Sequence, residues 1–441
     1  MVTELTYDQI NRDVLRTLEK PRPYYFLALG MMFLFFAVGV WAEAQNIKYG
    51  LGMSGYMHPV FWAVYITDFV FWVGIGHAGT LISAILYLFR ARWRMSIYRA
   101  AEAMTVFAVM TAGLFPLLHV GRPWYAYWLI PYPNQRELWV NFRSPLIWDV
   151  FAVSTYATIS TLFLILGLLP DIAAARDKAV GWRKILYSVT SLGWRGTDRQ
   201  WRHYTKAYMF FAALATPLVL SVHSVVSWDF AMSHVPGWHS MLFPPYFVAG
   251  AILSGVAMVI TILIPLRKIM GLEHIITQWH FDALGKLLIL TSTIVAYAYA
   301  VEFWNAWYSA NPYKIAHFHY RAFGDYAFLF WFGMVFCNSL LPQTLYFKSI
   351  RKNMLLMFII SIFVNIGMWL ERYIIIVVAL SKEYMPYSWA VYKPSYIDWM
   401  VTLGSFGWFF MLFLIFVKLF PIVSINEVKE ILRPPLKEVE K

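Results

Sequence analysis

The sequence predicts an all-α integral membrane protein with about ten membrane-spanning helices. Of its 441 residues, 60% are hydrophobic and 19% aromatic, whereas only 14% are charged, well below the ~25% found in soluble domains. The hydrophobic residues are concentrated in ten segments, each long enough for the ~20 residues that a bilayer requires. In chain order these segments are 24–43, 59–89, 99–121, 145–169, 205–227, 245–266, 280–301, 324–347, 353–380 and 395–420.

Both ends of the chain are polar, and no soluble domain interrupts the array of apolar segments. We therefore divide the chain into an N-terminal segment (1–23), a membrane domain (24–420) and a C-terminal tail (421–441). Residues 1–23 carry charges of both signs and lack the apolar core of a signal peptide, so we expect no cleaved leader. The longest connection, 170–204, is rich in Arg and Trp, which is typical of a strap in the membrane interface.

The distribution of basic residues predicts the orientation of the array. With ten spans, both ends of the chain lie on one side, together with the connections 90–98, 170–204, 267–279 and 348–352. Lys and Arg number 23 in these parts of the chain and 8 in the opposite connections. Because loops in the cytoplasm carry an excess of Lys and Arg, we expect both termini to be cytoplasmic.

Charge and cysteine usage narrow the classes of partner and cofactor. The net charge of +12 lies in loops beside helix ends, which indicates membrane lipids as partners and not nucleic acid. The single cysteine, Cys337, lies in the middle of the eighth segment. Since iron–sulfur clusters and covalently attached haem need several thiols at close spacing, we expect neither in this chain, and no other metal site.

Ionisable residues at the ends of apolar segments predict a polar site near the outer face. His119 and Arg122 lie three residues apart at the end of the third segment, a spacing that places them on one face of a helix. Asp149 lies about one turn after Ser144-Pro145, a typical helix start, and Asp229 lies at the outer boundary, just after the fifth segment. The residues expected to flank these groups are Trp148, His223 and Trp228.

An imidazole and two carboxylates at this depth favour the oxidation of quinol. A quinol releases two electrons and two protons, so its hydroxyl groups need a base within hydrogen-bond reach. His119 would accept one proton, and Asp149 would orient the hydroxyl or accept the other. The alternative is that these groups only satisfy one another across packed helices.

A second series of ionisable residues runs through the membrane interior. Intramembrane groups of this kind can form proton relays, and they also pair with one another for purely structural reasons. The small residues around His77, in the run Gly74-Ile-Gly-His-Ala-Gly79, would allow close helix approach without any function. The candidates for a proton path are Asp68, His77, Glu102, Asp282, Lys286, Glu371 and Arg372.

Four runs of the sequence carry a family resemblance. They are GHAGTLISA at 76–84, HVGRPW at 119–124, SPLIWD at 144–149 and FPPYFVAGA at 243–251. In this order they resemble the NrfD/polysulfide reductase family of membrane subunits, and within it most nearly the quinol-binding membrane subunit of alternative complex III. The resemblance extends from about residue 24 to residue 420.

The resemblance implies two four-helix bundles with flanking helices and no tightly bound redox cofactor in the subunit. It implies a quinol site near the outer face of a bacterial inner membrane, with His119, Asp149 and Asp229 at the positions of the site. The substrate would be a quinol, with menaquinol favoured. The implied partners are an iron–sulfur subunit of the molybdopterin-oxidoreductase type on the periplasmic side, c-type cytochrome subunits carrying haem c, and a paralogous membrane subunit.

Three other identities stay open at this point. The chain could be the paralogous membrane subunit, although the His119/Asp149 pair favours the quinol-binding one. A b-type cytochrome would hold haem between histidines of two spans; sequence position predicts different depths for His77 and His223, which leaves His119 with His223. A secondary transporter would usually show spans broken by Gly or Pro near the midplane, whereas the prolines here lie nearer helix ends.

Overall fold

A computed structural model of the chain describes residues 6–19, 21–130 and 144–432. These ranges are mainly helical and contain no β-strand. In chain order the main helices are α1 (Tyr7–Arg16), α2 (Pro23–Tyr49), α3 (Val64–Leu88), α4 (Tyr98–His119), α5 (Pro145–Lys178), α6 (Trp182–Thr190), α7 (Asp198–Ala231), α8 (Phe243–Met270), α9 (Gln278–Tyr308), α10 (Pro312–Phe323), α11 (Ala327–Tyr346), α12 (Met354–Ser381), α13 (Tyr396–Leu419) and α14 (Ile425–Ile431). Ten of them, all but α1, α6, α10 and α14, are long and apolar enough to cross a membrane, which confirms the predicted fold class.

The helices α5 and α7 extend further than hydropathy predicts. α5 continues to Lys178 and α7 begins at Asp198, so the strap expected at 170–204 is confined to residues 179–197. Both helices continue beyond their apolar segments because polar residues such as Arg, Lys and Gln also favour the helical conformation. The strap contains α6, whose Ile185 and Val189 are exposed, as expected for a helix lying in the interface.

The first of two helix bundles is built around α3. Every residue of α3 from Val64 to Thr80 is buried, and the helix packs against α4, α7 and α8. Gly79 allows this closeness: a Cβ atom there would lie 2.1 Å from the carbonyl oxygen of Ala101 on α4. The small residues beside His77 therefore serve helix packing. The bundle consists of α3, α4, α5 and α7.

The second bundle consists of α8, α9, α11 and α12, and it joins the first where α8 packs against α3 and α7. The two remaining spans, α2 and α13, form a flanking pair. Their backbones meet at Gly39 and Gly404, where a Cβ atom on Gly39 would lie 2.6 Å from the Gly404 Cα. The architecture is thus two four-helix bundles with flanking helices.

The two ends of the chain meet on one face of the array. α1 packs against α14, and the Lys429 ammonium donates a 2.8 Å hydrogen bond to Asn11. Asp171 of α5 accepts a hydrogen bond from the Ile425 backbone nitrogen (3.1 Å) and pairs with Arg99 of α4 (3.0 Å). We refer to this face as inner and to the opposite face as outer.

Candidate functional site

The carboxyl groups of Asp149 and Asp229 come together at the outer face. Asp149 lies in the first turns of α5, which begins at Pro145 because proline is favoured at the first helical position; the Ser144 side chain makes no capping hydrogen bond. Asp229 lies in the last turn of α7. The two side chains share a hydrogen bond, and the Oδ1 atom of each is buried without a hydrogen-bond partner in the described part of the chain.

A pair of tryptophans accompanies the carboxyl pair. Trp148 and Trp228 precede Asp149 and Asp229, and their rings pack edge to face with centroids 5.7 Å apart. Each helix therefore contributes a Trp-Asp dipeptide to the same contact. The two tryptophans are thus neighbours of each other, and their predicted place beside the carboxyl pair stays a prediction.

His119, the last residue of α4, belongs to a second polar group at the same face. Its ring lies 5.7 Å from the Tyr56 ring and 6.3 Å from the Tyr65 ring, centroid to centroid. Its Nδ1 atom is buried without a hydrogen-bond partner among the described residues. Within the same ranges, no hydrogen bond joins His119 to Asp149 or Asp229, so the predicted site consists of two separate clusters.

The residues behind His119 are ones that sequence reasoning missed. Tyr65 of α3 donates a 2.6 Å hydrogen bond from its hydroxyl to Glu43 Oε2 of α2, and Asn46 donates to the Tyr65 hydroxyl. Glu43 is only 8% exposed, and its Oε1 atom has no partner among the described residues. An acidic residue near the end of an apolar segment was the available signal, because such a group is costly in lipid without a partner.

Two tyrosines outside the spans, Tyr56 and Tyr392, lie between the polar group around His119 and helix α13. The Tyr392 hydroxyl donates to Asp398 (2.7 Å) and the Tyr56 ring lies 6.3 Å from the Tyr392 ring. Burial, together with the nearby Asp398 carboxylate, raises the pKa of both Tyr56 and Tyr392. Their hydroxyl groups therefore stay protonated. The Tyr56 hydroxyl accepts a hydrogen bond from the Tyr65 backbone nitrogen (3.3 Å), and the Tyr392 hydroxyl donates to the Ser54 carbonyl oxygen as well as to Asp398.

The predicted placement of Arg122 on one helical face with His119 is wrong, and its role at the site stays a prediction. α4 ends at His119, and Gly121 then adopts a left-handed conformation with φ of 78°, which turns the chain away from the helix. Arg122 lies over the Trp124 ring at 5.7 Å. It therefore does not share a helical face with His119, because the helix that would align them has already ended.

The histidines of the interior correct another expectation. His77 and His223 do not lie at different depths, because their rings are in contact with centroids 4.7 Å apart. The contact leaves no room for a porphyrin between them. His223 is thus a neighbour of His77, and both of its ring nitrogens lack a hydrogen-bond partner within the described ranges. Its predicted place beside the outer site stays a prediction.

Two interior carboxylates are held by side chains of other helices. Asp68 accepts hydrogen bonds from Trp369 (2.6 Å) and Thr402 (2.8 Å), which join α3 to α12 and α13. Glu371 pairs with the adjacent Arg372 (2.8 Å) and accepts a hydrogen bond from Tyr299 of α9. These contacts support the structural alternative for this part of the series.

The remaining members of the series lie toward the inner face. Glu102 lies 3.8 Å from Arg99 and accepts a hydrogen bond from Tyr208. Asp282 pairs with Lys286 (2.7 Å) and Arg351 (2.6 Å), and the Lys286 side chain is 63% exposed. Asp282 and Lys286 therefore form a surface ion pair near the start of α9, which corrects their placement in the interior.

Comparison with known proteins identifies the family. Residues 52–381 match the model of the family described as polysulphide reductase, NrfD. The chain belongs to the NrfD family. The match includes His119, both carboxyl groups of the outer pair and the interior histidines, whereas Glu43 and Asp398 lie outside it on the flanking helices α2 and α13.

Several relatives of this NrfD-family chain are reductase subunits by name. A putative dimethyl sulfoxide reductase membrane subunit of Halobacterium salinarum is 28% identical over 72% of this chain and 65% of its own length. A selenate reductase subunit of Mesobacillus selenatarsenatis is 23% identical over 92% and 95% of the two chains. The menaquinone reductase integral membrane subunit of Nitratidesulfovibrio vulgaris is 22% identical over 85% and 86%.

In the described residues, no group of three or more His, Cys, Asp or Glu side chains is placed to hold a metal ion. The candidate site of this NrfD-family chain is thus built from an imidazole, tyrosines and carboxyl groups. Such groups can accept and donate protons and hydrogen-bond to a polar ligand. They lie where a ligand dissolved in the membrane would meet the outer face.

Proposed function

We propose that this chain is the membrane subunit of an oxidoreductase complex and that it oxidises quinol at the outer end of the first bundle. The observation that carries the proposal is the hydrogen-bonded pair of Asp149 and Asp229. Buried carboxyl groups that share a hydrogen bond form a proton-accepting group at the membrane boundary. The names of the relatives, which include a menaquinone reductase subunit and other reductase subunits, support the assignment.

The proposed reaction converts a quinol into a quinone, two protons and two electrons. His119 accepts one hydroxyl proton at its Nδ1 atom, which has no partner among the described residues, while Tyr56 and Tyr65 hold the imidazole by ring contact. The carboxyl pair accepts the second proton, because it already holds one proton between its oxygens and has a free oxygen on each side chain in the described part of the chain. The same groups would serve quinone reduction in reverse.

The electrons pass to a partner on the outer face. Since one cysteine cannot hold a cluster of four thiolates, we assign the acceptor to an iron–sulfur subunit of the molybdopterin-oxidoreductase type. Aromatic side chains exposed on the outer connection suit a protein contact; these are Trp124, Tyr127 and Trp128. In an assembly like alternative complex III, c-type cytochromes and a paralogous membrane subunit would complete the complex.

The proposed setting is a bacterial inner membrane with menaquinol as the substrate. The excess of Lys and Arg on the inner face supports a cytoplasmic location for both termini and a periplasmic location for the outer clusters. Proton translocation would use the interior groups, of which His77 and His223 retain ring nitrogens without a partner among the described residues. Protons released by the outer clusters would enter the periplasm directly.

The test is the turnover of the purified complex with quinol and an artificial electron acceptor. We expect His119→Ala to lower turnover about a hundredfold or more, the usual contribution of a general base, while the complex still assembles. The control is His203→Ala, which removes an exposed histidine of α7. Wild-type turnover in an assembled His119→Ala complex would contradict the proposal.

The b-type cytochrome alternative has its own measurement. A reduced-minus-oxidised spectrum of the purified membrane protein would show the absorption bands of haem if His119 and His223 held one. We expect no such bands, because the ring contacts of His119 are with tyrosines and those of His223 are with His77 and Phe247.

A further inference from the structure

An apolar groove on the membrane side of the molecule lies between α2, α4 and α13. Its volume is about 420 Å³. On each helix the lining residues recur at intervals of three and four, so the groove runs along the helix axes. Along α2 it extends from Phe36 to Ile47, a length of about 16 Å at 1.5 Å per residue.

The walls of the groove are almost entirely hydrocarbon. Leu114 and Leu118 line it from α4, and Val401 lines it from α13. Near the middle of the membrane it ends where the Trp408 ring packs on Phe36, with centroids 5.0 Å apart. A long, flexible, apolar chain would fit this shape, whereas a compact polar molecule would find no partners along most of its length.

One ionisable side chain interrupts the apolar lining. Glu43 lines the groove near its outer end and is only 8% exposed. The Tyr65 hydroxyl donates to Oε2, but Oε1 has no hydrogen-bond partner in the described part of the chain. A buried carboxylate oxygen without a partner is costly, so a ligand with a hydroxyl group at this level would remove an energetic penalty.

The outer end of the groove adjoins His119. Leu118, which lines the groove, is the residue before His119. Phe115, another lining residue, packs against Tyr65 with ring centroids 6.1 Å apart, and the Tyr65 ring contacts the His119 ring. The outer end of the groove is therefore separated from the His119 imidazole only by the side chains of Phe115 and Tyr65.

We propose that this groove binds the isoprenoid tail of the quinol and that, as the quinol binds, Glu43 accepts a hydrogen bond from the head-group hydroxyl whose proton then passes to the carboxyl pair. The proposal rests on the proposed function and adds to it a binding residue and an entry route from the membrane. It commits to a molecule that has a donor hydroxyl at one end and a long apolar chain, because Glu43 lies at one end of an apolar groove.

The proposed binding of the quinol tail is tested with a substitution that narrows the groove in the intact complex. Leu114→Trp adds bulk at the lining, and Leu162→Trp does the same on the lipid-facing side of α5 as a matched control; the two leucines are 38% and 44% exposed. We expect Leu114→Trp to raise the KM for long-tailed menaquinol at least about tenfold. The KM for menadiol, which has the head group without a tail, should stay within about twofold of wild type.

Two outcomes would overturn the assignment of the tail. One is an unchanged KM for both quinols, which would exclude the quinol tail from the groove; loss of a bound phospholipid from the Leu114→Trp complex would then make the groove an acyl-chain site. The other is an equal rise for both quinols, since the effect would then be on the head group alone. Failure of the wild-type complex to oxidise either quinol would instead contradict the proposed function.

The head-group contact is tested by Glu43→Gln, which keeps the shape of the side chain. Replacing the carboxyl group with an amide, whose nitrogen cannot accept a hydrogen bond, should raise the KM for both quinols about tenfold or more, without a comparable change in kcat. His119→Ala should instead lower kcat, so the two roles are separable. An unchanged KM for both quinols in an assembled Glu43→Gln complex would exclude Glu43 from the site.

Discussion

The carboxyl group of Asp149 is hydrogen-bonded to that of Asp229. Asp149 lies near the start of α5 and Asp229 near the end of α7, and both helix ends lie at the outer face. A hydrogen bond between two carboxyl groups requires that one of them carry a proton. The pair therefore behaves as one group that shares a proton and one negative charge. The proton acceptor is thus formed by one carboxyl group from each of two antiparallel helices.

We expect Asp149→Asn to lower the turnover of quinol about a hundredfold or more while the complex still assembles. The amide keeps the hydrogen bond to Asp229 but cannot take up a proton. Asp229→Asn should have a similar effect, because the two carboxyl groups act together. The measurement is steady-state quinol oxidation by the purified complex.

Asp198→Asn is the control for this prediction, because Asp198 is an exposed acid at the opposite end of the same helix as Asp229. Turnover close to wild type in both Asp149→Asn and Asp229→Asn complexes would show that the pair has only a structural role.

The buried ion pair of Arg99 and Asp171 gives a prediction about stability. Asp171→Ala leaves Arg99 buried without its main partner and removes the acceptor for the Ile425 backbone nitrogen. We expect a loss of about 3–5 kcal/mol in the free energy of unfolding. Thermal unfolding of the detergent-solubilised protein measures it, and limited proteolysis should show earlier cleavage near α14.

Asp177→Ala provides the matched control, because Asp177 lies on the same helix and its side chain is 69% exposed. The unfolding temperature of this variant should equal that of the wild type. Equal stability of the Asp171→Ala and Asp177→Ala proteins would mean that the buried pair contributes no net stabilisation.

The proposed orientation is tested with single cysteines. Met241 on the outer connection is 98% exposed and Val180 in the inner strap is 83% exposed, whereas the native Cys337 is fully buried. In cells that lack the partner subunits and have a permeabilised outer membrane, Met241→Cys should react with a membrane-impermeant maleimide. Val180→Cys should react only after the inner membrane is opened. The reverse pattern would place both polar clusters on the cytoplasmic side.

The ten spans could be predicted because a lipid-facing helix must be apolar, a demand that is visible in any window of the sequence. For Asp149 and Asp229 the sequence predicts only a shared depth, since both residues lie about one turn from a helix end. Their direct hydrogen bond depends on which faces of α5 and α7 pack together. The packing of all the side chains between the two helices determines which faces are in contact.

The errors have a common physical origin. Counting residues from the ends of the predicted segments places His77 and His223 at different depths in the membrane. The helices that carry them do not start at the same depth, and the two rings are in contact. Helical periodicity places Arg122 beyond the point where Gly121 ends the helix. The sequence marks Glu43 only as an acid near the end of an apolar segment. Its partner Tyr65 lies on the next span, and no sequence window records that contact.

The pairing of α2 with α13 has a consequence for the synthesis of the chain. The first span to enter the membrane finds its close neighbour only about 350 residues later, some tens of seconds at ribosomal speeds of ~5–20 residues per second. Until then Gly39 has no opposing backbone. A chain that ended before α13 would leave the Gly39 face of α2 without this backbone contact.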